Sequence, residues 1–322
     1  MTSKSISFIV PCYCTSRDLL LRCLRSVMSL PVGLDWEIVL IDDGTPDSHV
    51  KEWVDELNEE RIHYHYQSNA GLGQARNVGV EKSQKEYVHF LDSDDYIFPD
   101  EFSKCLDLVE NSDADLLMFE FRDVFTDGVE KFQSGKKEVE CDINGVDYIL
   151  QNSMIGAVWN MIIKRSLLDN LKFTANLFHE DEEYKPLLLL RAKNMVVTNL
   201  KPYAYYHHSA SIIGNVEESK LERRFCDMLY VVDSLRRHCE NLKGKERLAI
   251  EKRIAQLCEM MLYNAMRLSP NKAFFRKWFG RLKEKGIYPF PKRNYNFNYK
   301  LFRFATNADW KVGIIYKILN RR

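Results

Sequence analysis

Two clusters of aspartates follow two strand-like segments near the amino terminus. Asp42 and Asp43 come directly after the apolar run 36–41, and an Asp-Ser-Asp-Asp sequence that starts at Asp92 follows the run 87–91. If both runs are neighbouring parallel strands of one sheet, the two clusters meet at its carboxyl edge, where open α/β folds bind nucleotides. Carboxylates that converge there need a cation, and oxygen ligands suit Mg²⁺ or Mn²⁺ bound to a nucleotide diphosphate.

Alternating strands and helices must position these clusters. Helical periodicity separates five strand-like runs, at residues 6–10, 36–41, 62–66, 87–91 and 116–121. This alternation predicts an α/β fold with right-handed crossovers, a mostly parallel central sheet and flanking helices.

The pattern is less regular after residue 121. The polar segment 122–145 predicts a hairpin or a long loop over the site. Helices are expected at residues 146–152, 162–171 and 181–192, and one more strand is expected at 195–198. Residues 217–267 are wholly helical in their periodicity and predict two amphipathic helices joined near Gly244.

Charge is balanced over the whole chain but not along it. Basic and acidic residues number 46 each, so the net charge gives no argument for a nucleic-acid partner. Residues 271–322 nevertheless hold fourteen basic residues against two acidic ones, and the first 270 residues carry a net charge of −12. The basic segment is also rich in phenylalanine and tryptophan.

The cysteines and the amino terminus indicate a cytosolic protein. The eight cysteines lie mostly in apolar segments and show no paired Cys-x-x-Cys spacing, which fits reduced thiols better than a zinc site. Residues 1–7 lack the basic and apolar regions of a signal peptide. No apolar run approaches the roughly 20 residues of a spanning helix, so an integral membrane protein is not expected.

Five motifs taken together resemble one enzyme family. In chain order they are Phe8-Ile9-Val10-Pro11-Cys12-Tyr13, Ile41-Asp42-Asp43-Gly44-Thr45-Pro46-Asp47, Ala75-Arg76-Asn77-Val78-Gly79, Phe90-Leu91-Asp92-Ser93-Asp94-Asp95 and His179-Glu180-Asp181. Over about the first 210 residues the chain resembles the inverting glycosyltransferases of family two, whose Rossmann-like nucleotide-sugar fold is called GT-A. The resemblance implies a GT-A catalytic domain over residues 1–216, with a donor-binding half at about 1–121 and an acceptor half at about 122–216. Residues 217–322 would form a helical carboxyl-terminal region.

The resemblance assigns the donor nucleotide to the first half of this domain. It implies that Asp43 holds the uracil ring of a UDP-sugar, that Arg76 reaches a uracil carbonyl or a phosphate, and that Asp92 lies near the ribose. Pro11 and Tyr13 would add contacts from the first loop.

The resemblance also implies a metal ion, Mn²⁺ or Mg²⁺, on the diphosphate. Asp94 would bind it, and His207 follows a predicted strand at a place from which a histidine could reach it. From the residues alone other interpretations stay open. Asp94 could solvate a strand end or cap a helix, the Asp-Asp-Gly sequence at 42–44 suits an ordinary turn, and a lone histidine is usually a hydrogen-bonding group.

On the acceptor side the resemblance assigns the general base to Asp181 and a pocket-shaping role to Glu180. The same residues could instead be an acidic first helical turn that complements the helix dipole. Trp159 could stack on a sugar or belong to the core. Two departures from the family pattern fall here, because Met161 replaces a common lysine and residues 174–178 lack a common glycine.

The basic and aromatic carboxyl-terminal segment has two interpretations. Aromatic residues with lysines and arginines suit a surface that rests on anionic lipid, at the inner face of the cytoplasmic membrane. Alternatively, the aromatic residues pack against the acidic catalytic domain.

The sequence therefore predicts a metal-dependent inverting glycosyltransferase, either a hexosyl- or an N-acetylhexosaminyltransferase. Its donor would be a nucleotide diphosphate sugar, and its acceptor a hydroxyl of a growing or lipid-linked glycan of a cell-surface or capsular polysaccharide. One alternative is a nucleotide-sugar-binding subunit that has lost transfer. Another is a sugar-nucleotide pyrophosphorylase, which predicts a glycine-rich basic first loop that residues 11–15 do not provide.

Overall fold

The chain divides into two compact units. The computed structural model describes residues 5–126, 130–132, 139–208, 217–293, 295 and 297–320. The first unit combines Met1–Gly145 with Gly156–Asn215, and the second combines Val146–Ile155 with Val216–Arg322. The short segment Val146–Ile155, which we expected within the catalytic domain, belongs to the second unit.

Twelve strands and eleven α-helices occur in the described residues. The strands are β1 (Ile6–Cys12), β2 (Trp36–Asp42), β3 (Ile62–Tyr66), β4 (Tyr87–Phe90), β5 (Tyr96–Ile97), β6 (Leu116–Met118), β7 (Phe121–Phe125), β8 (Glu130–Phe132), β9 (Val139–Ile143), β10 (Met161–Lys164), β11 (Met195–Thr198) and β12 (Tyr203–His207). The helices are α1 (Arg17–Met28), α2 (Val50–Asp55), α3 (Leu72–Lys82), α4 (Pro99–Ser112), α5 (Gly145–Gln151), α6 (Glu180–Leu189), α7 (Glu218–Glu240), α8 (Gly244–Leu268), α9 (Lys272–Glu284), α10 (Phe297–Ala305) and α11 (Asp309–Leu319).

The central sheet of the first unit has eight strands in the order β3-β2-β1-β4-β10-β6-β11-β9. β1 to β4 are parallel to one another, as are β6 and β11, whereas β9 and β10 run antiparallel to their neighbours. The predicted α/β class with a mostly parallel sheet is confirmed. The two strands that carry the acidic clusters, β2 and β4, flank β1 and are therefore not direct neighbours.

The expected helix at residues 162–171 is the clearest error of the sequence analysis. Met161–Lys164 is instead the strand β10, inserted antiparallel between β4 and β6, and a short 3₁₀ helix follows at Arg165–Leu168. Met161, Ile162 and Ile163 are fully buried. An apolar run of this length has no periodicity that separates a buried strand from a buried helix, and two adjacent isoleucines favour the strand.

A second sheet has four strands in the order β5-β12-β7-β8. Two of them, β7 and β8, come from the segment that was predicted as a hairpin or a long loop. β7 and β8 are antiparallel, so the hairpin is confirmed for the described residues; residues 127–129 and 133–138 lie outside them. β12 runs parallel to β7, which places His207 opposite Phe125.

Helix α3 packs against β1 with no side chain between them at one point. A Cβ atom on Gly79 would lie 2.2 Å from Cγ2 of the buried Ile9. Only glycine permits this approach, and it fixes the height of α3, including Arg76, above the sheet.

The second unit is helical, as the periodicity predicted for residues 217–267. Helices α7 and α8 join at Gly244, and the segment that contains α5 is held by Lys252. The Lys252 ammonium donates to the carbonyls of Ile149, Leu150 and Asn152 at 2.9, 2.7 and 3.0 Å, which satisfies the end of α5. Among the described helices, none combines the length and the apolar character that a membrane span requires.

Candidate active site

Both acidic clusters lie at the carboxyl edge of the central sheet, and the loop after β1 connects them. The Cys14 backbone N–H donates to Thr45 Oγ1 at 3.1 Å, and the Thr15 and Ser93 hydroxyls lie 2.7 Å apart. The loops after β1, β2 and β4 therefore form one rim, and the two acidic clusters meet there as predicted. At this rim Pro11 is buried within β1 and Tyr13 is 51% exposed.

Asp42 is fully buried and holds its own loop. Its carboxylate accepts from Thr45 N at 3.0 Å, Ser48 Oγ at 2.6 Å and the Tyr64 hydroxyl at 3.0 Å. The next turn depends on Gly44, which has a φ of 75° and whose added Cβ would lie 2.5 Å from Asn69 N. The Asp-Asp-Gly sequence thus makes a turn in which no residue larger than glycine fits at position 44.

Asp43 organises the loop that leads into α3. Its carboxylate accepts from Gln67 Nε2 at 2.6 Å and from the backbone N–H groups of Ala70 and Gly71, each at 2.9 Å. A carboxylate has about four lone-pair sites, so one acceptor position is left for a ligand. Asp43 is buried to 3% exposure.

Arg76 joins the donor-side and acceptor-side motifs. Its guanidinium donates to Asp92 Oδ1 at 2.9 Å and to Glu180 Oε1 at 2.6 Å, and the residue is 2% exposed. Burial raises the pKa of both carboxyls, and the Arg76 charge opposes the rise. The side chain that was expected to reach the nucleotide is therefore engaged by two carboxylates, and Glu180 is directed at Arg76.

Asp181, in the first turn of α6, is the half-buried carboxylate next to this cluster. Within the described part of the chain its side chain makes no hydrogen bond. Burial and the Glu180 charge raise its pKa to about 7, against the opposing charges of Arg76 and Lys185. A carboxyl group that titrates near neutral pH is suited to take a proton from a substrate.

Lys185 lies one turn further along α6 and was not singled out in the sequence. It is 1% exposed, and its ammonium donates to the Ala157 carbonyl at 2.7 Å and to Asn160 Oδ1 at 2.8 Å. Burial lowers its pKa to about 7, and the Asp181 charge opposes the change. A lysine within the apolar run 184–190 was the signal that could have identified it.

His208, rather than His207, contacts Asp94. His208 Nε2 lies 2.9 Å from Asp94 Oδ2, and the Asp94 side chain is 38% exposed. His207 is held elsewhere, because its Nε2 lies 2.8 Å from Asp123 Oδ1 and its ring stacks on Phe125 at 4.4 Å. β12 ends at His207, and His208 follows it directly with its ring turned to Asp94.

The donor atoms at Asp94 suit a metal ion that is shared with a ligand. No group of three or more histidine, cysteine, aspartate or glutamate side chains in the described residues could hold an ion unaided. Asp94 and His208 supply one carboxylate and one imidazole. Mg²⁺ commonly binds through one or two carboxylates with substrate phosphates completing the shell, and Asp94 supplies such a carboxylate with the His208 imidazole beside it.

Trp159 is part of an aromatic stack behind the rim. Its ring lies parallel to those of Tyr203 and Tyr205, at centroid distances of 4.6 and 5.5 Å. The Tyr203 hydroxyl donates to the buried Asp95 at 2.6 Å. The half-buried tryptophan thus packs against the hydrophobic core and against Tyr203, which binds Asp95 of the second acidic cluster. Stacking of Trp159 on a sugar stays a prediction.

Comparison with known proteins identifies the family of this chain. Residues 7–172, just over half of the chain, match the family model described as glycosyl transferase family 2. The chain belongs to this family. This chain is 26% identical over 225 residues to the uncharacterized glycosyltransferase YibD of Escherichia coli. The match spans 66% of this chain and 64% of YibD. The chain is also 28% identical over 247 residues to a poly(ribitol-phosphate) beta-glucosyltransferase of Bacillus spizizenii, spanning 67% of the chain and 37% of that enzyme.

Solved structures share the fold of the family 2 chain. The crystal structure of S. aureus TarS residues 1–349 in complex with UDP-GlcNAc superposes with a TM-score of 0.69 at 20% identity, covering 87% of this chain and 80% of that one. The expected GT-A fold is therefore confirmed. The chain spans less than two thirds of the length of both curated relatives named above.

Proposed function

We propose that this protein transfers a sugar from a UDP-sugar to a hydroxyl of a growing glycan, with inversion at the anomeric carbon. One observation carries the proposal. Arg76 binds Asp92 on the donor side and Glu180 on the acceptor side, and Asp181, with its pKa raised to about 7, follows Glu180 directly. In this proposal the cluster brings the nucleotide subsite next to a proton acceptor suited to neutral pH.

Donor binding rests on the rim formed by the loops after β1, β2 and β4. In the proposal the remaining acceptor position of Asp43 takes the uracil imide N–H, the exposed Tyr13 ring covers the base, and Asp92 contacts the ribose. Asp94 and His208 would hold a divalent ion, which stabilises negative charge on the departing diphosphate. Arg76 acts as a positioning residue that orients Asp92 and Glu180.

Asp181 is the proposed general base. An inverting displacement needs the acceptor hydroxyl to attack the face opposite the diphosphate and to lose its proton as it does so. The proton moves to the Asp181 carboxylate, the new bond forms between the acceptor oxygen and the anomeric carbon, and the bond from that carbon to the diphosphate oxygen breaks. Because the side chain makes no hydrogen bond in the described residues, its oxygens are available to the acceptor.

The named substrates of similar proteins suggest where to begin. The TarS structure contains UDP-GlcNAc, and the Bacillus enzyme is named for glucosyl transfer to poly(ribitol-phosphate). We therefore propose UDP-GlcNAc and UDP-glucose as the first donors to test, with a polysaccharide of the cell surface or capsule as the acceptor.

The proposal is tested in two steps. First, thermal unfolding is measured with UDP-, GDP- and dTDP-sugars, each in Mn²⁺ and in EDTA, because a ligand that binds the folded state raises the midpoint. Second, release of the free nucleotide is measured with and without simple acceptors for each donor that binds. We expect a midpoint shift with UDP-sugars in Mn²⁺ and acceptor-dependent release of UDP. A donor that binds but is never cleaved or transferred would indicate a binding subunit and overturn the proposal.

A further inference from the structure

Helices α10 and α11 expose large apolar side chains on their outer sides. We call this set the apolar face; it consists of Phe297, Leu301 and Phe304 on α10 and Trp310, Ile314 and Ile318 on α11. Their exposed fractions are 75, 56 and 68% on α10 and 65, 47 and 57% on α11. Contiguous apolar patches of this kind are rare on monomeric proteins and indicate an interaction site.

Helical spacing places each set of three on one stripe. Residues 297, 301 and 304 recur at intervals of four and three, and residues 310, 314 and 318 recur at intervals of four, which aligns them along a helix. The opposite sides of the two helices are packed. Tyr299 and Val312 are 1% and 0% exposed, and the Tyr316 ring stacks on Phe275 of α9 at 4.2 Å. The outer stripe therefore stays exposed, although the opposite sides of the two helices are packed.

Lys311 joins the two stripes into one surface. Its ammonium lies 4.6 Å from the Phe304 ring centroid and 5.7 Å from that of Trp310, and it donates to the Phe304 carbonyl at 3.2 Å. A lysine held between two exposed aromatic rings places a positive charge at the level of the apolar side chains. Lys300 and Lys317 are exposed on the same two helices.

We infer that the apolar face rests on an anionic lipid surface. The segment 271–322 carries fourteen basic residues against two acidic ones, which suits negatively charged headgroups. A second copy of the chain would bring two such segments together and cause repulsion between like charges. Helices α10 and α11 have nine and eleven residues, so each lies in the interface with its apolar side chains in the acyl boundary and does not span it.

The aromatic residues of this segment fall into a buried set and an exposed set. Phe274, Phe275 and Trp278 of α9 are buried and form the core of the helical unit with Phe225 of α7. Lipid contact is therefore restricted to the outer stripes of α10 and α11. The inference does not depend on the proposed transferase reaction, because it concerns binding in the absence of any donor.

The test is co-sedimentation of the full chain with equimolar phosphatidylglycerol–phosphatidylcholine vesicles and with pure phosphatidylcholine vesicles. The variant combines Phe304→Ser, Trp310→Ser and Ile314→Ser. A matched control combines Val32→Ser, Leu248→Ser and Tyr263→Ser, which are also exposed, at 107, 48 and 39%. We expect the unchanged chain and the control to bind the anionic vesicles, and the variant to bind at least about tenfold more weakly, because it loses three inserted apolar groups.

Several outcomes would overturn the inference. They are equal binding by the variant and the unchanged chain, equal binding to both vesicle types, and no binding to anionic vesicles. Light-scattering mass is measured in parallel, and a dimer that the variant abolishes, without vesicle binding, would assign the apolar face to a second copy. Thermal shifts with UDP-sugars in the same variant keep this result separate from the proposed function, since the substitutions lie outside the donor rim.

Discussion

Arg76 Nη1 lies 2.6 Å from Glu180 Oε1, although 104 positions separate the two residues in the chain. The same guanidinium binds Asp92, so one buried cation links the loop after β4 to the start of α6. This ion cluster is the structural centre of the candidate active site.

Replacing Arg76 with methionine should destabilise the fold strongly. The change leaves Glu180 and Asp92 without their shared cation, and removing one partner of a buried ion pair costs about 3–5 kcal/mol. The free energy of unfolding is measured by urea titration. The matched control is Arg17→Met, which removes an exposed pair with Glu56 and should cost less than about 1 kcal/mol. If both variants lose the same free energy of unfolding, the Arg76 cluster contributes no more to stability than an exposed ion pair.

Asp181→Asn should abolish transfer and keep donor affinity. A general base contributes about 10²–10⁴ in rate, so kcat should fall by that factor while the Kd for the UDP-sugar stays constant. In the unchanged enzyme kcat/KM should rise with pH through about 7, because the base must lose its proton and its pKa is raised to about 7. The variant should lack this rise. Normal turnover with weakened donor binding would remove Asp181 from the role of base.

The same pKa shift predicts how stability depends on pH. A carboxyl whose folded pKa lies above its ordinary value of 3.8 binds more protons in the folded state between about pH 4 and 7. Its contribution to stability therefore declines as the pH rises through this window. Asp181→Asn should remove that decline, and at pH 8 the variant should be more stable than the unchanged protein in urea titration.

Lys185→Met should move the pH dependence of activity upward. The Lys185 charge favours the ionised form of Asp181, so its removal raises the pKa of that carboxyl further. The midpoint of the rise in kcat/KM should shift to higher pH, whereas donor affinity should change little. Lys172→Met, which removes an exposed pair with Glu81, serves as the control and should leave the midpoint in place. A midpoint that moves equally in both variants would argue against a local charge effect.

Asp94→Ala and His208→Ala should each weaken metal-dependent donor binding. Both side chains face the rim and lie in contact, so each loss should reduce UDP affinity in Mn²⁺ at least about tenfold, or 1.4 kcal/mol, with little effect in EDTA. His207→Ala is the matched control, because His207 is engaged by Asp123. Titration calorimetry measures all three. Loss of the metal dependence in His207→Ala but not in His208→Ala would reverse the assignment of the two histidines.

The alternating pattern of the first 121 residues was sufficient to predict the parallel half of the sheet and both acidic clusters. Those features are local, since a strand and the turn that follows it are determined by residues close in sequence. The Asp-Asp-Gly turn illustrates this, because Asp42 accepts hydrogen bonds from Thr45 and Ser48 within the same loop.

Other features were decided by contacts between distant segments. The antiparallel insertion of β10 depends on strands at residues 87–90 and 116–118, and nothing in the run 161–164 specifies those partners. The choice of His208 over His207 depends on the pairing of β12 with β7, which turns one histidine toward Asp123 and leaves the other at the rim.

Residue types and their order therefore determined that this chain would bring acidic groups together at the carboxyl edge of its central sheet. The sequence alone did not determine which charges would neutralise one another. Arg76 was expected at the nucleotide and Lys185 was not considered, because periodicity reports burial of apolar groups but carries no information on the partner of a buried charge. Such partners are selected when the whole domain packs, since a buried charge is stable only where other segments supply an opposite charge or hydrogen-bonding groups.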